Sequence, residues 1–187
     1  MEECFQEVAV ELSRTAGEAR AQFGTRSPEQ LNWKPGPRSW SVGQCFDHLI
    51  TTHGLYFPLL QQLRAGGVEP TFWERYSPFS RVFGRYLIRI LHPENQKKTK
   101  TSPKAEPSTS VIDGRIVERF SAHQAELIDH IQNLPAEIDP ETTIITSPLL
   151  SFVTYNLDDC LTIFVVHGQR HLGQARRVTE TAGFPLQ

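Results

Sequence analysis

His167 and His171 stand four residues apart in a stretch whose apolar positions recur with helical period, Leu157, Cys160, Phe164, His167, His171, Gln174 and Val178. At that spacing two side chains lie one above the other on one helix face, so both imidazoles can converge on a single point. They occupy the inward stripe, where burying two neighbouring imidazoles without a shared partner costs free energy that a metal ion removes. Neutral imidazole is a ligand for zinc and nickel, and a tetrahedral catalytic site takes three protein ligands with the fourth position open. The pair is therefore part of a site that needs a third ligand from another element.

His48 is the leading third ligand. His53 falls closer to the centre of the same apolar stripe, so periodicity by itself does not choose between them. His123 and His130, seven residues apart on one face of a later helix, are rivals, and His92, which precedes Pro93 in a loop, is set aside. Taken singly, each of these histidines also fits a hydrogen-bonded core residue. Gln44, one turn before His48, and Gln174, just beyond His171, are placed for contacts to the ligands or to a substrate. Their other reading is a capping side chain for Gln44 and an amide at the edge of the seam for Gln174.

Three neutral histidines leave a dication its full charge, so a bound water ionises near pH ~7 and a bound thiol is deprotonated outright. A hydrolase wants a carboxylate base facing the metal; Asp47 points away from the neighbours of His48, and no HExxH is present. The balance favours a metal-dependent enzyme that activates a small thiol for transfer to an electrophile. A metal-dependent hydrolase, and a bundle whose metal is structural or vestigial, are the alternatives. A cavity beside an open coordination position supports the enzyme; a fourth protein ligand such as His53 or His123 supports the structural metal.

Four long helices must position these groups. Residues 2–23 carry Phe5, Val8, Leu12, Ala16, Ala19 and Phe23 at steps of three and four. Ser27-Pro28-Glu29-Gln30 reads as a capping box opening one short helical turn, and 33–40, with two prolines and a glycine, as a rigid loop with Trp33 and Trp40 as anchors. Ser41, with Gln44 reaching back, caps a second helix over 42–63, which Pro58 kinks or divides. Gly66-Gly67 ends it. The aromatic stretch 71–91, with Phe72, Trp73, Tyr76, Phe79, Phe83 and Tyr86, predicts a shorter helix after Ser77-Pro78. Residues 92–110 are polar and without period and form a connection, in which Lys97, Lys98, Lys100 and Lys104 read as solvated rather than as a phosphate patch.

The third long helix is expected over 111–134, with Pro135 as its stop. Residues 135–156 hold three prolines and short β-branched pieces, and no sheet is expected there. Asn156 caps the fourth long helix, with Asp158 and Asp159 in its first turn, and the helix runs to about residue 180. The fold class is all-α, a four-helix bundle with long connections, in one domain over residues 1–187.

Composition excludes several functions. Lys and Arg number 19 against 21 Asp and Glu, a net charge of -2 that offers no basic field for nucleic acid. No stretch approaches the ~20 apolar residues of a membrane span, and Met1 is followed by two glutamates rather than a basic and apolar leader. The expected location is the cytoplasm. Cys4, Cys45 and Cys160, odd in number and widely separated, suit reduced thiols.

Two stretches resemble a known family. Trp40-Ser41-Val42-Gly43-Gln44-Cys45-Phe46-Asp47-His48-Leu49 is similar to the aromatic-Ser/Thr-Val opening and His-Leu pair of the DinB-like superfamily, which includes the YfiT-like metal proteins. His167-Gly168-Gln169-Arg170-His171-Leu172-Gly173-Gln174 looks like that superfamily's HxxxHxxQ close on the last helix. The element order agrees over nearly the whole chain. The resemblance implies a four-helix bundle, a divalent metal held by three histidines matched here by His48, His167 and His171, and, as in many members, a homodimer. It is what selects His48 over His53. Thiol transferases that use low-molecular-weight thiols and proposed hydrolases both occur in the superfamily, so the resemblance implies a site and leaves the reaction open. The long stretch 66–110, with its own aromatic segment, departs from the family pattern and lies where it would reshape the pocket mouth.

Overall fold

The computed structural model describes residues 2–66, 74, 80–95, 97 and 101–185. The first helix, α1, spans Glu2–Phe23 and buries the expected stripe, Phe5, Val8, Leu12, Ala19 and Phe23, with Ala16 half-buried. The short α2, Pro28–Asn32, opens on the Ser27/Gln30 capping box, with proline at the first position, where its missing N–H costs nothing. Ser41 and Gln44 make the same reciprocal pair at the start of α3, Val42–Gly54. Pro58 divides the second long stretch: its ring excludes a carbonyl four residues back, α3 stops at that residue, Gly54, and α4 runs as a separate helix over Phe57–Arg64.

The helix expected in the aromatic stretch is α5, Ser80–Leu91, with Phe83 and Tyr86 on it; Phe72, Trp73, Tyr76, Ser77, Pro78 and Phe79 lie outside the described residues. Among its described residues the polar connection holds a turn closed by the Asn95 N–H on the His92 carbonyl and one 3-10 turn at Pro103–Ala105. The third long helix, α6, is Ile116–Gln132, five residues shorter at its start than periodicity suggests. Ile112 is buried from the connection instead, because the Asn32 amide donates to its carbonyl (3.0 Å) and accepts from its N–H (2.7 Å). A side-chain amide thus takes over both backbone bonds that a helix would have supplied.

The expectation that residues 135–156 form no sheet is corrected by a two-stranded antiparallel ribbon. In it β1, Ile144–Thr146, pairs with β2, Thr154–Asn156, in the register Ile145↔Tyr155. Strands of three residues give too few alternations to read from sequence. Burial of both Ile145 and Tyr155 in the core sets their register, since a slip by one residue would turn both outward. The ribbon delivers the chain to α7, Leu157–Thr179, whose Asn156 cap accepts from Asp159 N at 2.8 Å. Leu157 and Asp158 N–H groups donate to the carbonyls of Thr143 and Pro140, so the first turn of α7 is satisfied by the segment before β1.

α1 and α3 each pack against both α6 and α7, and α5 lies on the outside of α7 and β2. At Gly84 the α5 backbone comes so close to α7 that a Cβ would overlap the Asp159 carboxylate. The core falls into two apolar clusters. One gathers the N-terminal half of α1, α4, the ribbon and the start of α7 around Leu12, Leu60, Tyr155 and Phe164; the other gathers α3, the start of α6 and the end of α7 around Phe46, Leu49, Phe120 and Leu172. Between Phe164 and Leu172 on α7 stand His167 and His171, so the histidines occupy a polar layer between two greasy ends. No helix among the described residues is long and apolar enough to cross a membrane.

Candidate metal centre

His48 on α3 and His167 and His171 on α7 are all buried, and one ring nitrogen of each lies within 4.8 Å of the others. His167 Nε2 is 3.1 Å from His48 Nε2 and 3.1 Å from His171 Nε2. A ring nitrogen carries either one proton or one lone pair, so at most one of these two contacts can be a hydrogen bond. Ligands at about 2.0–2.1 Å around one tetrahedral ion are roughly 3.3 Å apart, which is close to the spacing seen here. The cluster could hold a metal ion.

The outer nitrogens of His48 and His167 have partners of their own. His48 Nδ1–H donates to the Ala105 carbonyl at 2.5 Å, with Thr52 Oγ1 at 3.3 Å from the same atom, leaving Nε2 as a lone pair. That carbonyl belongs to the 3-10 turn of a connection that reads as featureless in sequence. His167 Nδ1 is 3.3 Å from His53 Nε2. If His167 Nδ1–H donates there, His53 must carry its own proton on Nδ1, which faces the Gln124 amide at 3.5 Å. Gln124 Oε1 is buried without another partner, and turning the amide over brings it to that proton. His53 therefore stands behind His167, edge-on to Phe164 with ring centroids 5.0 Å apart, and does not join the converging Nε2 set.

Trp40, the last residue before the α3 cap, stacks on His171 (centroids 5.5 Å apart, 22° between planes) and tilts against His48 at 4.9 Å. It holds two of the three rings, a role that its position beside Ser41 hints at but does not reveal. Of the remaining sequence candidates, Gln44 caps α3 and donates to the Ser108 carbonyl at 2.8 Å, anchoring the connection rather than touching the imidazoles. Gln174 lines the adjoining cavity and faces His171, where its amide partly offsets the effect of burial on that imidazole, although His171 Nδ1 makes no hydrogen bond of ordinary geometry. His123 stacks on Phe57 (4.8 Å, 18°) and His130 tilts against the same ring, both away from the Nε2 set. His92 lies in the loop after α5, and Asp47 accepts from Ser108 N.

Burial governs the electrostatics. It holds His48 below the ordinary histidine value, partly offset by the bond to Ala105, and it holds His53, His167 and His171 well below, reinforced by their mutual proximity. The imidazoles are thus neutral, the form that binds metal. Burial also pushes Cys45 up to about 12 and raises Cys160, so these thiols are inert packing groups; Cys4, half-buried, is raised as well, and none of the three forms a disulfide.

A cavity of about 560 Å³ opens beside the cluster. Leu87, Ile90 and Leu91 of α5 and Leu149, Leu150 and Val153 of the ribbon loop make its apolar wall, and the hydroxyls of Tyr56 and Tyr155, 2.6 Å apart, line it too. The Arg170 guanidinium closes one edge by donating to the carbonyls of His92, Asn95 and Lys97, which ties the loop after α5 to α7.

A family model described as the DinB superfamily matches residues 11–175, most of the chain and all three histidines. No curated protein and no solved structure matches it.

Proposed function

Because the chain belongs to the DinB superfamily, we propose that it holds one divalent ion, zinc or nickel, on Nε2 of His48, His167 and His171, and that it transfers a small thiol to an electrophile. The observation that carries this reading is the convergence of three buried Nε2 atoms, with both closest pairs at 3.1 Å, beside a cavity of about 560 Å³. When bound, a dication with three neutral ligands lowers the pKa of a thiol at its open position, so that the thiolate forms at neutral pH.

The chain's own residues do the rest. Ala105 fixes the tautomer of His48, so that lone pair is aimed before any ion arrives, and His53 stands where it can accept from His167 Nδ1–H once Nε2 binds the ion. Trp40 keeps the rings of His48 and His171 from turning. The apolar wall from α5 and the ribbon loop suits an apolar electrophile. In the transfer the thiol proton goes to solvent, the sulfur forms a bond to the electrophilic carbon, and the leaving group departs with its electron pair.

Two features favour this over the alternatives. No Asp or Glu among the described residues lines the cavity, which leaves a hydrolase without a carboxylate base. A structural metal usually has four protein ligands, whereas His53 turns to His167 Nδ1 and away from the open side. The test is elemental analysis of protein from metal-replete medium beside a variant with His167→Ala and His171→Ala. About one zinc or nickel per chain, lost in the variant, is expected. Metal absent from the unaltered protein, or equally retained by the variant, would overturn the ligand assignment.

A further inference from the structure

We propose that the cavity mouth is an anion site, and that the thiol brought to the metal centre carries a carboxylate held by Arg38 and Arg177. This inference rests on the thiol-transfer reading and names the substrate class for that same site.

Three arginines, Arg38, Arg170 and Arg177, line the cavity, with no carboxylate among the described lining residues. Some arginines of the helices are paired, Arg14 with Glu11 and Glu18, Arg64 with Asp129, and Arg176, next to Arg177 but facing α1, with Glu18, while, among the described residues, others such as Arg20 and Arg119 are not; what sets Arg38 and Arg177 apart is that they share one cavity with Arg170. Arg38 and Arg177 are exposed, and their guanidinium groups have no ion pair or hydrogen bond among the described residues. The guanidinium of Arg170 is satisfied by three loop carbonyls. It adds positive field without competing for the ligand. Arg170 and Arg177 are close enough to repel, and Arg177 adds to the effect of burial in lowering the pKa of Arg170. Like charges gathered at an exposed mouth, with nothing of opposite sign among the described lining residues, are the arrangement that recruits a small anion.

The geometry places this charge at the right range from the chemistry. Arg177 lies six residues beyond His171, about 9 Å along α7. Arg38 is two residues before Trp40, whose ring stacks on His171. A thiol whose carboxylate is a few bonds from its sulfur can reach the mouth with one end and the Nε2 cluster with the other. The apolar wall from α5 and the ribbon loop stays free for the electrophile.

The test compares N-acetylcysteine with N-acetylcysteamine, which has the same thiol and amide but no carboxylate. Binding of each is followed by calorimetry on the protein as purified, and by thiolate-to-cobalt absorption on the cobalt-loaded protein. N-acetylcysteine should bind about tenfold more tightly at low ionic strength, as a charge-assisted contact provides. The preference should shrink in high salt. It should disappear in an Arg38→Gln, Arg177→Gln variant whose metal content is unchanged. Equal binding of the two thiols, or a preference that survives in the variant, would overturn the anion site. A calorimetric preference without cobalt–sulfur absorption upholds the anion site and sinks the thiol-transfer reading; absorption without preference does the reverse.

Discussion

Replacing His53 by Ala should weaken metal binding without removing a ligand. In the structure His53 Nε2 lies 3.3 Å from His167 Nδ1, placed to accept its proton when His167 Nε2 is the lone pair that binds metal, and the Gln124 amide stands behind it. Without that acceptor, His167 loses the contact that selects its tautomer and aims Nε2 at the cluster. Partners of this kind are worth about 10- to 100-fold in metal affinity, or roughly 1.4–2.7 kcal/mol. The variant also leaves a hole beside Phe164, so folding should be checked by circular dichroism at the assay temperature. The assay is competition for zinc against a chelating dye at neutral pH, with two controls. His53→Gln offers a carbonyl oxygen to His167 Nδ1–H and should recover most of the loss. His92→Ala, on a loop outside the cluster, should change nothing. A His53→Ala affinity within about twofold of the unaltered protein, below the range such partners command, would refute the argument that His53 aims His167.

Two further outcomes follow from burial and packing. Burial depresses His48, His53, His167 and His171, and takes His123 to about 4, so below the unfolded value near ~6.5 the unfolded chain binds protons that the folded chain refuses. Stability of the metal-free protein should be full above that value and fall as pH drops towards the folded values, with His123 alone accounting for about 3 kcal/mol at most; a urea midpoint that rises between pH ~7 and pH ~5 would contradict the sign. Gly84→Ala should force α5 away from Asp159 of α7 and cost about 1–3 kcal/mol, read as a lower urea midpoint, and an unchanged midpoint would mean that the two helices do not approach as described.

Much of the scaffold was legible because it is written in local chemistry. Both capping boxes, Ser27/Gln30 and Ser41/Gln44, and the Asn156 cap of α7 are contacts within one turn, and short-range pattern suffices to find them. Pro58 announced a break because its clash reaches only four residues back. The start of α6 and the β1–β2 ribbon were not legible. The first depends on Asn32 capturing Ile112 across 80 residues, and the second on two three-residue strands whose register is set only when Ile145 and Tyr155 meet the core.

The site divides in the same way. By itself the sequence determined that His167 and His171 share a face, since helix geometry dictates that for any pair four apart. It left His48 and His53 open, and burial explains why: His53 is 1% exposed and His48 5%, so the residue nearer the stripe's centre is the more deeply packed, while the Nε2 cluster lies off-centre, towards the cavity. Only the tertiary structure brought the Ala105 carbonyl to His48, Trp40 over two rings, and Arg38 to the same cavity as Arg177. These contacts join residues from separate elements, and their energies depend on distances that chain spacing does not encode. Periodicity reports which face of an element is buried, whereas the partner that meets each buried polar atom is decided when the elements pack.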